Sequence, residues 1–336
     1  MTSIVIPAHN EGRVIGRLLD ALLADSPAST SASPSGSGVR PGSGPDIVVV
    51  CNGCTDDTAR VAGARGPRVR VVEIPTPSKH RALRVGDEHA RGFPRLYVDA
   101  DVVLGAADVR ILAGTLAGNP ELLAAAPGRD VPLAGCAWPV RAYYRVWQRL
   151  PAVREGLFGR GVIAVTGPGH ARIAALPPLM ADDLAASLAF GPGERRVVES
   201  ARVTVRPPRT WSDLIRRRIR AATSSAEFER FQAAQRAAVG VGGAGEPGPS
   251  GPSGPDAPVP TAPTAPTAPT APTAPTAPSA RTGAADLRAL VRERPSLLPA
   301  VAVFAVAALA ARRGSRKAIR DGDYSTWLRD ESSREG

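Results

Sequence analysis

Aromatic residues, lysine and cysteine are all scarce in this chain of 336 residues. Phe, Trp and Tyr together make up 4% of it, so the stacking platforms with which proteins hold RNA or single strands lack their parts. Lys79 and Lys317 are the only lysines among 42 basic residues, and the net charge of +11 is carried by arginine. Set in an Ala-, Gly- and Pro-heavy composition, that charge reads as a compositional bias of the chain, and no nucleic-acid partner is expected. Cys51, Cys54 and Cys136 are too few for a disulfide framework and suit a reducing compartment. The opening "MTSIVIPAHNEG" has no basic n-region and no small-residue cleavage site after an apolar stretch. No secretory signal is expected, and the catalytic face is placed in the cytoplasm.

Proline and glycine are the abundant residues, 34 of each, and they crowd into two tracts. "SPASTSASPSGSGVRPGSGPD" cannot bury apolar surface and reads as a disordered insertion, residues 26–45, inside a domain. A second tract, within residues 240–282, contains a Thr-Ala-Pro repeat from Thr261. Proline in every repeat favours an extended polyproline II spacer of about 3.1 Å per residue. The chain thus divides into a domain over 1–239, a linker over 240–282 and a helical tail over 283–336.

Before the linker, strand and helix patterns alternate. "SIVIP" is followed by "NEGRVIGRLLDALLAD", whose apolar residues Val14, Ile15, Leu18, Leu19, Leu22 and Leu23 repeat at helical spacing. "DIVVV" precedes a helix in "TDDTARVAGA", "RVRVVEI" precedes one in "SKHRALRVGDEHA", and "RLYVDADVVL" reads as a fourth strand. This is an α/β domain with a largely parallel sheet, in which ligands bind at the carboxyl ends of strands. Those ends carry Pro7-Ala8-His9-Asn10-Glu11, then Cys51-Asn52-Gly53-Cys54, then Asp99-Ala100-Asp101. Two carboxylates two residues apart after a strand can approach one hard cation, Mg²⁺ or Mn²⁺, shared with phosphate. Alone, such a pair is a weak signal. Cys-x-x-Cys between strand and helix also permits a thiol redox pair; a zinc site would need two further ligands, and no spacing supplies them.

Taken in order, "SIVIPAHNE", "VVVCNGCTDDT", "SKHRALRVGD", "YVDADVVL", "LMADDL" and "RVTVRPPRTWSDLIRRRIRA" resemble the motif series of the family-2 glycosyltransferases. The resemblance covers roughly Met1 to Phe231 and implies a GT-A fold: a Rossmann-like, mixed, largely parallel sheet flanked by helices. It implies inverting transfer of a sugar from a nucleotide diphosphate sugar to an acceptor hydroxyl on a saccharide, a lipid-linked molecule or a small molecule. The pattern assigns the nucleotide sugar to Pro7, Ala8, Glu11, Asn52, Lys79, Asp99, Arg217 and Arg220, with the cluster Arg216, Arg217, Arg218 and Arg220 completing a clamp, and a divalent metal (Mn²⁺ or Mg²⁺) to Asp101 with Asp99. It assigns the general base to Asp183, since an acceptor hydroxyl is a poor nucleophile without one. Asp182 better fits a helix N-cap, and a solvated helix face competes with the clamp for the arginines at 216–220.

The chain also departs from the pattern. Cys51 and Asn52 stand where the family has two aspartates and Cys54 where it has a serine, so uridine cannot be assumed; two small residues packing the nucleotide loop are favoured over a redox pair. Arg217, Arg220 and Ala221 replace the Gln, Arg and Trp of processive members, so single transfer is expected. A retaining transferase of the same fold and a non-catalytic sugar-nucleotide-binding protein remain as alternatives. In the tail, Leu297 to Ala311 is apolar and flanked by arginines. It is short of the roughly 20 residues of a spanning helix and suits either an in-plane membrane helix or a helix packed on the domain, with a true span as the third alternative. The expected setting is cell-envelope or exopolysaccharide assembly, at the inner face of the plasma membrane.

Overall fold

The computed structural model describes residues 1–24, 44–176, 182–241 and 283–320. The expected insertion (26–45) lies outside them except for its last two residues, and the expected linker (240–282) except for its first two. In chain order the elements begin with β1 (Ser3–Ala8), α1 (Ile15–Leu23), β2 (Asp46–Asn52), α2 (Thr58–Gly63), β3 (Val69–Ile74), α3 (Lys79–His89), β4 (Arg95–Val98) and β5 (Val103–Leu104). Then come α4 (Ala106–Ala117), β6 (Ala124–Asp130), α5 (Trp138–Trp147), α6 (Pro151–Glu155), β7 (Val162–Val165), α7 (Gly167–Ala174), α8 (Asp182–Leu188) and β8 (Arg195–Thr204). Three helices close the described chain: α9 (Trp211–Val241), α10 (Ala284–Glu293) and α11 (Leu298–Arg320).

β1 and β2 are buried along their whole length, as expected of central parallel strands covered on both faces. The eight strands form one sheet in the order β3-β2-β1-β4-β7-β6-β8-β5. β1 pairs parallel with β2 and β4, and β2 with β3. β7 runs against both β4 and β6, while β6 and β8 are parallel. β1, β2, β4 and β6 therefore end at one edge. On α1, the buried Ile15, Leu18, Leu19 and Leu22 form one stripe that joins Ile4, Ile6, Val49, Leu96, Leu104 and Leu112 in the main core.

The expected strand "RLYVDADVVL" is two strands. β4 stops at Val98, and β5 leaves to pair antiparallel with β8 at the far edge of the sheet. Between them the chain turns: Asp99 N donates to Gly161 O at 2.8 Å and Val102 N to Asp99 O at 3.4 Å. Aspartates favour such a break, and it lifts the Asp-Ala-Asp sequence clear of the strand.

The tail helix α11 packs on α5 and α9. Phe304 stacks on Tyr143 at 5.0 Å between ring centroids. Ala300 and Ala307 join a second core with Val140, Val146 and Leu214 at its centre, and Ala311 is buried as well.

Candidate active site

The turns after β1 and β2 are sewn together by side chains. Asn52, only 4% exposed, donates from its amide nitrogen to Ala8 O at 2.8 Å and accepts from Ser78 N at 3.0 Å. Ser78 in turn caps α3 by accepting from Arg81 N, so one amide ties together the segments following β1, β2 and β3. His9 Nδ1 lies 2.6 Å from Asn52 O. Asn10 takes a left-handed backbone (φ 52°) and its side chain accepts from Thr55 N at 2.7 Å. Glu11 N donates to the Thr58 hydroxyl at 2.8 Å and Gly12 N to Asp56 at 3.0 Å. Burial alone would raise the Asp56 carboxyl, but hydrogen bonds from Thr58 and Gly12 bring it below its ordinary value. Pro7, Ala8 and Glu11 are thus held at the carboxyl end of β1, all three buried.

Cys51 is 1% exposed and belongs to the main core. Burial, then the neighbouring Cys54 and Glu73, push its thiol up to about 12. A thiol so raised is a poor nucleophile at neutral pH, which fits the packing role. Cys54 donates to Ala8 O at 3.5 Å and receives Asn10 N at 3.4 Å.

Asp99 sits where the β4 turn begins. Lys79, the first residue of α3, places Nζ 2.9 Å from Asp99 Oδ1, with the two side chains 28% and 40% exposed. Burial opposes ionisation of this carboxyl, yet Lys79, Arg220 and Arg217 hold it below its ordinary value. Of the four arginines expected in the clamp, Arg217 and Arg220 therefore lie near Asp99. Their neighbours on α9 do other things: Arg216 pairs with Asp213, and Arg218 lies 5.9 Å from the Tyr143 ring. Asp101 lies near Arg17, which the motif series did not single out, and Arg17 in turn lies near Arg206. Arg17 of α1 is lowered by burial and by Arg206, and Asp101 pulls it the other way.

The loop between α6 and β7 joins Asp99 to Asp183. Gly161 O receives Asp99 N, and Gly159 N donates to Asp183 Oδ2 at 3.0 Å. Both glycines adopt positive φ, 64° and 65°, a region that other residues enter at a cost. Arg160 between them is buried and donates to the carbonyls of Gly156, Pro127 and Arg154 at 2.8–3.0 Å, so the loop is built on a satisfied internal guanidinium. Asp183 is exposed, with Oδ1 accepting from Leu184 N at 2.7 Å. Below it, Arg129 stacks on Trp147 at 4.6 Å and donates to Val153 O. Burial and Arg160 lower Arg129 to about 9 while Tyr144, Asp183 and Glu199 oppose them, so it remains charged at neutral pH. Sequence reasoning missed Arg17, Arg206, Gly159, Arg160 and Gly161; the compact Gly-Arg-Gly was the one local signal available.

Among the described residues no three His, Cys, Asp or Glu side chains come together as a metal site. Asp99 and Asp101 offer hard oxygens, and a Mg²⁺ or Mn²⁺ ion there would draw its other ligands from phosphate and water, as these ions commonly do. Such an ion would compete with Lys79 for Asp99.

Residues 3–165 match the family model described as glycosyl transferase family 2. Its fold resembles the mannosyltransferase PcManGT from Pyrobaculum calidifontis, solved with GDP-Man and Mn²⁺, at 18% identity and a TM-score of 0.51, covering 99% of this chain and 84% of that one. It also resembles S. aureus TarS 1-349, at 15% identity and a TM-score of 0.43, covering 66% of this chain, which spans 64% of that one. The same TarS fragment in complex with UDP gives 15% identity and a TM-score of 0.45, with coverages of 62% and 60%. Among curated proteins no relative matches.

Proposed function

We propose that this protein transfers a sugar from a nucleotide diphosphate sugar to an acceptor hydroxyl, with inversion and one sugar at a time. The observation that carries the reading is the gathering of Lys79, Arg217 and Arg220 around Asp99 at the carboxyl end of β4. A departing diphosphate develops negative charge, and preorganised cations beside a metal-ready carboxylate stabilise it where it forms. Asp99 and Asp101 would hold the divalent ion, which neutralises the diphosphate when bound. Pro7, Ala8, Glu11 and Asn52 shape the nucleotide end. Asp183, exposed and anchored through one oxygen to Gly159 N, takes the acceptor proton.

The acceptor is a hydroxyl on a saccharide, a lipid-linked molecule or a small molecule. We place the protein in the cytoplasm at the inner face of the plasma membrane, in envelope or exopolysaccharide assembly; the arginine-flanked tail and the family resemblance support that setting. The test is donor turnover with NMR of the product anomer. Inversion with Asp183→Asn losing about 10²- to 10⁴-fold in kcat and keeping nucleotide affinity is the expected result. Retention of configuration would move Asp183 to a donor-positioning role, and nucleotide binding without turnover would make the protein a sensor.

A further inference from the structure

Pro295–Arg320 is long and apolar enough to cross a membrane by length and composition, but its packing argues for a different use. One side of α11 is committed to protein: Ala300, Phe304, Ala307, Ala311 and Ser315 are buried, and Gly314 lies so close to Ile219 of α9 that a Cβ there would come within 2.4 Å of it. A helix clamped along this stripe cannot be surrounded by lipid. The opposite side is apolar and bare, with Leu298 59%, Val306 56% and Leu309 52% exposed, and Ala302 and Ala305 exposed among them.

Beyond Leu309 the same side turns basic. Arg312, Arg313, Arg316, Lys317 and Arg320 are exposed, and Leu298 to Arg320 contains no acidic residue. Placed about 100° apart around the axis, the exposed apolar and basic positions occupy an arc of roughly 140°, centred opposite the buried stripe. The apolar portion runs for about 17 Å at ~1.5 Å per residue, short of the roughly 30 Å of a bilayer core. Large exposed apolar patches mark an interaction surface, and a dense basic run beside one selects an anionic partner.

We propose that this outward face of α11 docks the protein on an anionic phospholipid bilayer, with the helix in the plane of the interface. The apolar residues enter the acyl boundary and the basic residues reach the headgroups. This deepens the membrane placement proposed above and is independent of the sugar-transfer chemistry.

The experiment is co-flotation of the full chain with phosphatidylcholine vesicles, with and without phosphatidylglycerol. The wild type, Leu298→Glu/Val306→Glu/Leu309→Glu and Arg312→Gln/Arg313→Gln/Arg316→Gln are compared. All six positions are exposed, and circular dichroism confirms that each variant is folded. Binding should require phosphatidylglycerol and be released at about 0.5 M salt, where the Debye length falls to roughly 4 Å. Loss of three arginines should cut partitioning on the order of 100-fold, and the glutamates should abolish it. Binding equal on neutral vesicles and resistant to salt and alkaline carbonate would overturn the proposal in favour of a span. A concentration-dependent dimer abolished by the glutamates, without vesicle binding, would assign the face to a second copy, and no binding at all would also refute it. Nucleotide titration of the same preparations reports on the active site separately, so failure of one reading is not failure of the other.

Discussion

Asn52→Asp restores an aspartate at a position where the resembling family carries one, yet here it should destabilise the protein. The Asn52 amide nitrogen donates to Ala8 O at 2.8 Å and its oxygen accepts from Ser78 N at 3.0 Å, in a site 4% exposed. A carboxylate keeps the second bond and turns the first into a close approach of two oxygens. Losing the donor costs about 1 kcal/mol, and leaving a buried charge short of donors adds roughly 1–3 kcal/mol, for a total of about 2–4 kcal/mol. Burial raises the new carboxyl in the folded state above its unfolded value near 3.9. The native state then binds more protons than the unfolded state between those two values, so the penalty grows as pH rises through that window. Below it the neutral acid can donate to Ala8 O, and most of the penalty disappears. With a urea slope near 3 kcal/mol per molar, the midpoint at pH 7 should fall by about 1 M and recover at pH 4. An unchanged midpoint at pH 7, or a larger loss at pH 4, would refute the assignment of Asn52 as the tie between the three segments.

Alkylation should separate the two cysteines: with its thiol pushed up to about 12, Cys51 should react with iodoacetamide on the order of a thousandfold more slowly than a free cysteine at pH 8, and a Cys51→Ala/Cys54→Ala variant that folds should keep its activity. Loss of activity in that folded variant would revive a thiol role. Gly161→Ala puts a Cβ 2.5 Å from Val102 and 3.3 Å from Asp99 Oδ2 at a backbone of φ +65°, so urea unfolding should show a loss of about 1–3 kcal/mol, with nucleotide affinity falling as well. Lys79→Met should split stability from binding: the pair is 28% and 40% exposed, so its removal should cost under about 1 kcal/mol in folding while weakening a diphosphate more than tenfold by calorimetry. The stabilisation from Asp99 exists above the unfolded aspartate value and is lost as pH falls through its lowered folded value.

How much of this was visible in the sequence depended on how each element buries its residues. β1 and β2 showed as unbroken apolar runs because they lie inside a parallel sheet, and α1 showed because one stripe faces the core. β6 reads "AAAPGRD", which lacks β-branched and aromatic residues and holds Pro and Gly, so local propensity argued against a strand that only pairing with β7 and β8 secures. The break between β4 and β5 was hidden for the same reason, since the partner of β5 is β8, a hundred residues away. In the site, Lys79, Asp99, Arg217 and Arg220 were legible as candidates through the ordered motifs, but the ion pair of Lys79 with Asp99 was not. The internal use of Asn52 was not legible either, because its partners, Ala8 at the end of β1 and Ser78 before α3, are brought together only by the fold. Arg17 was illegible for that reason too: nothing in its local sequence marks it as a neighbour of Asp101 and Arg206.

The central claim is a metal-assisted diphosphate site at the carboxyl end of β4, and calorimetric titration of the full chain tests it most directly. UDP, GDP, ADP and TDP would each be titrated with and without Mn²⁺, against Asp101→Ala. One nucleotide binding with Mn²⁺, and more than tenfold more weakly without it or in Asp101→Ala, is the predicted result. Binding of no nucleotide under any condition, or binding indifferent to both the metal and Asp101, would contradict the account.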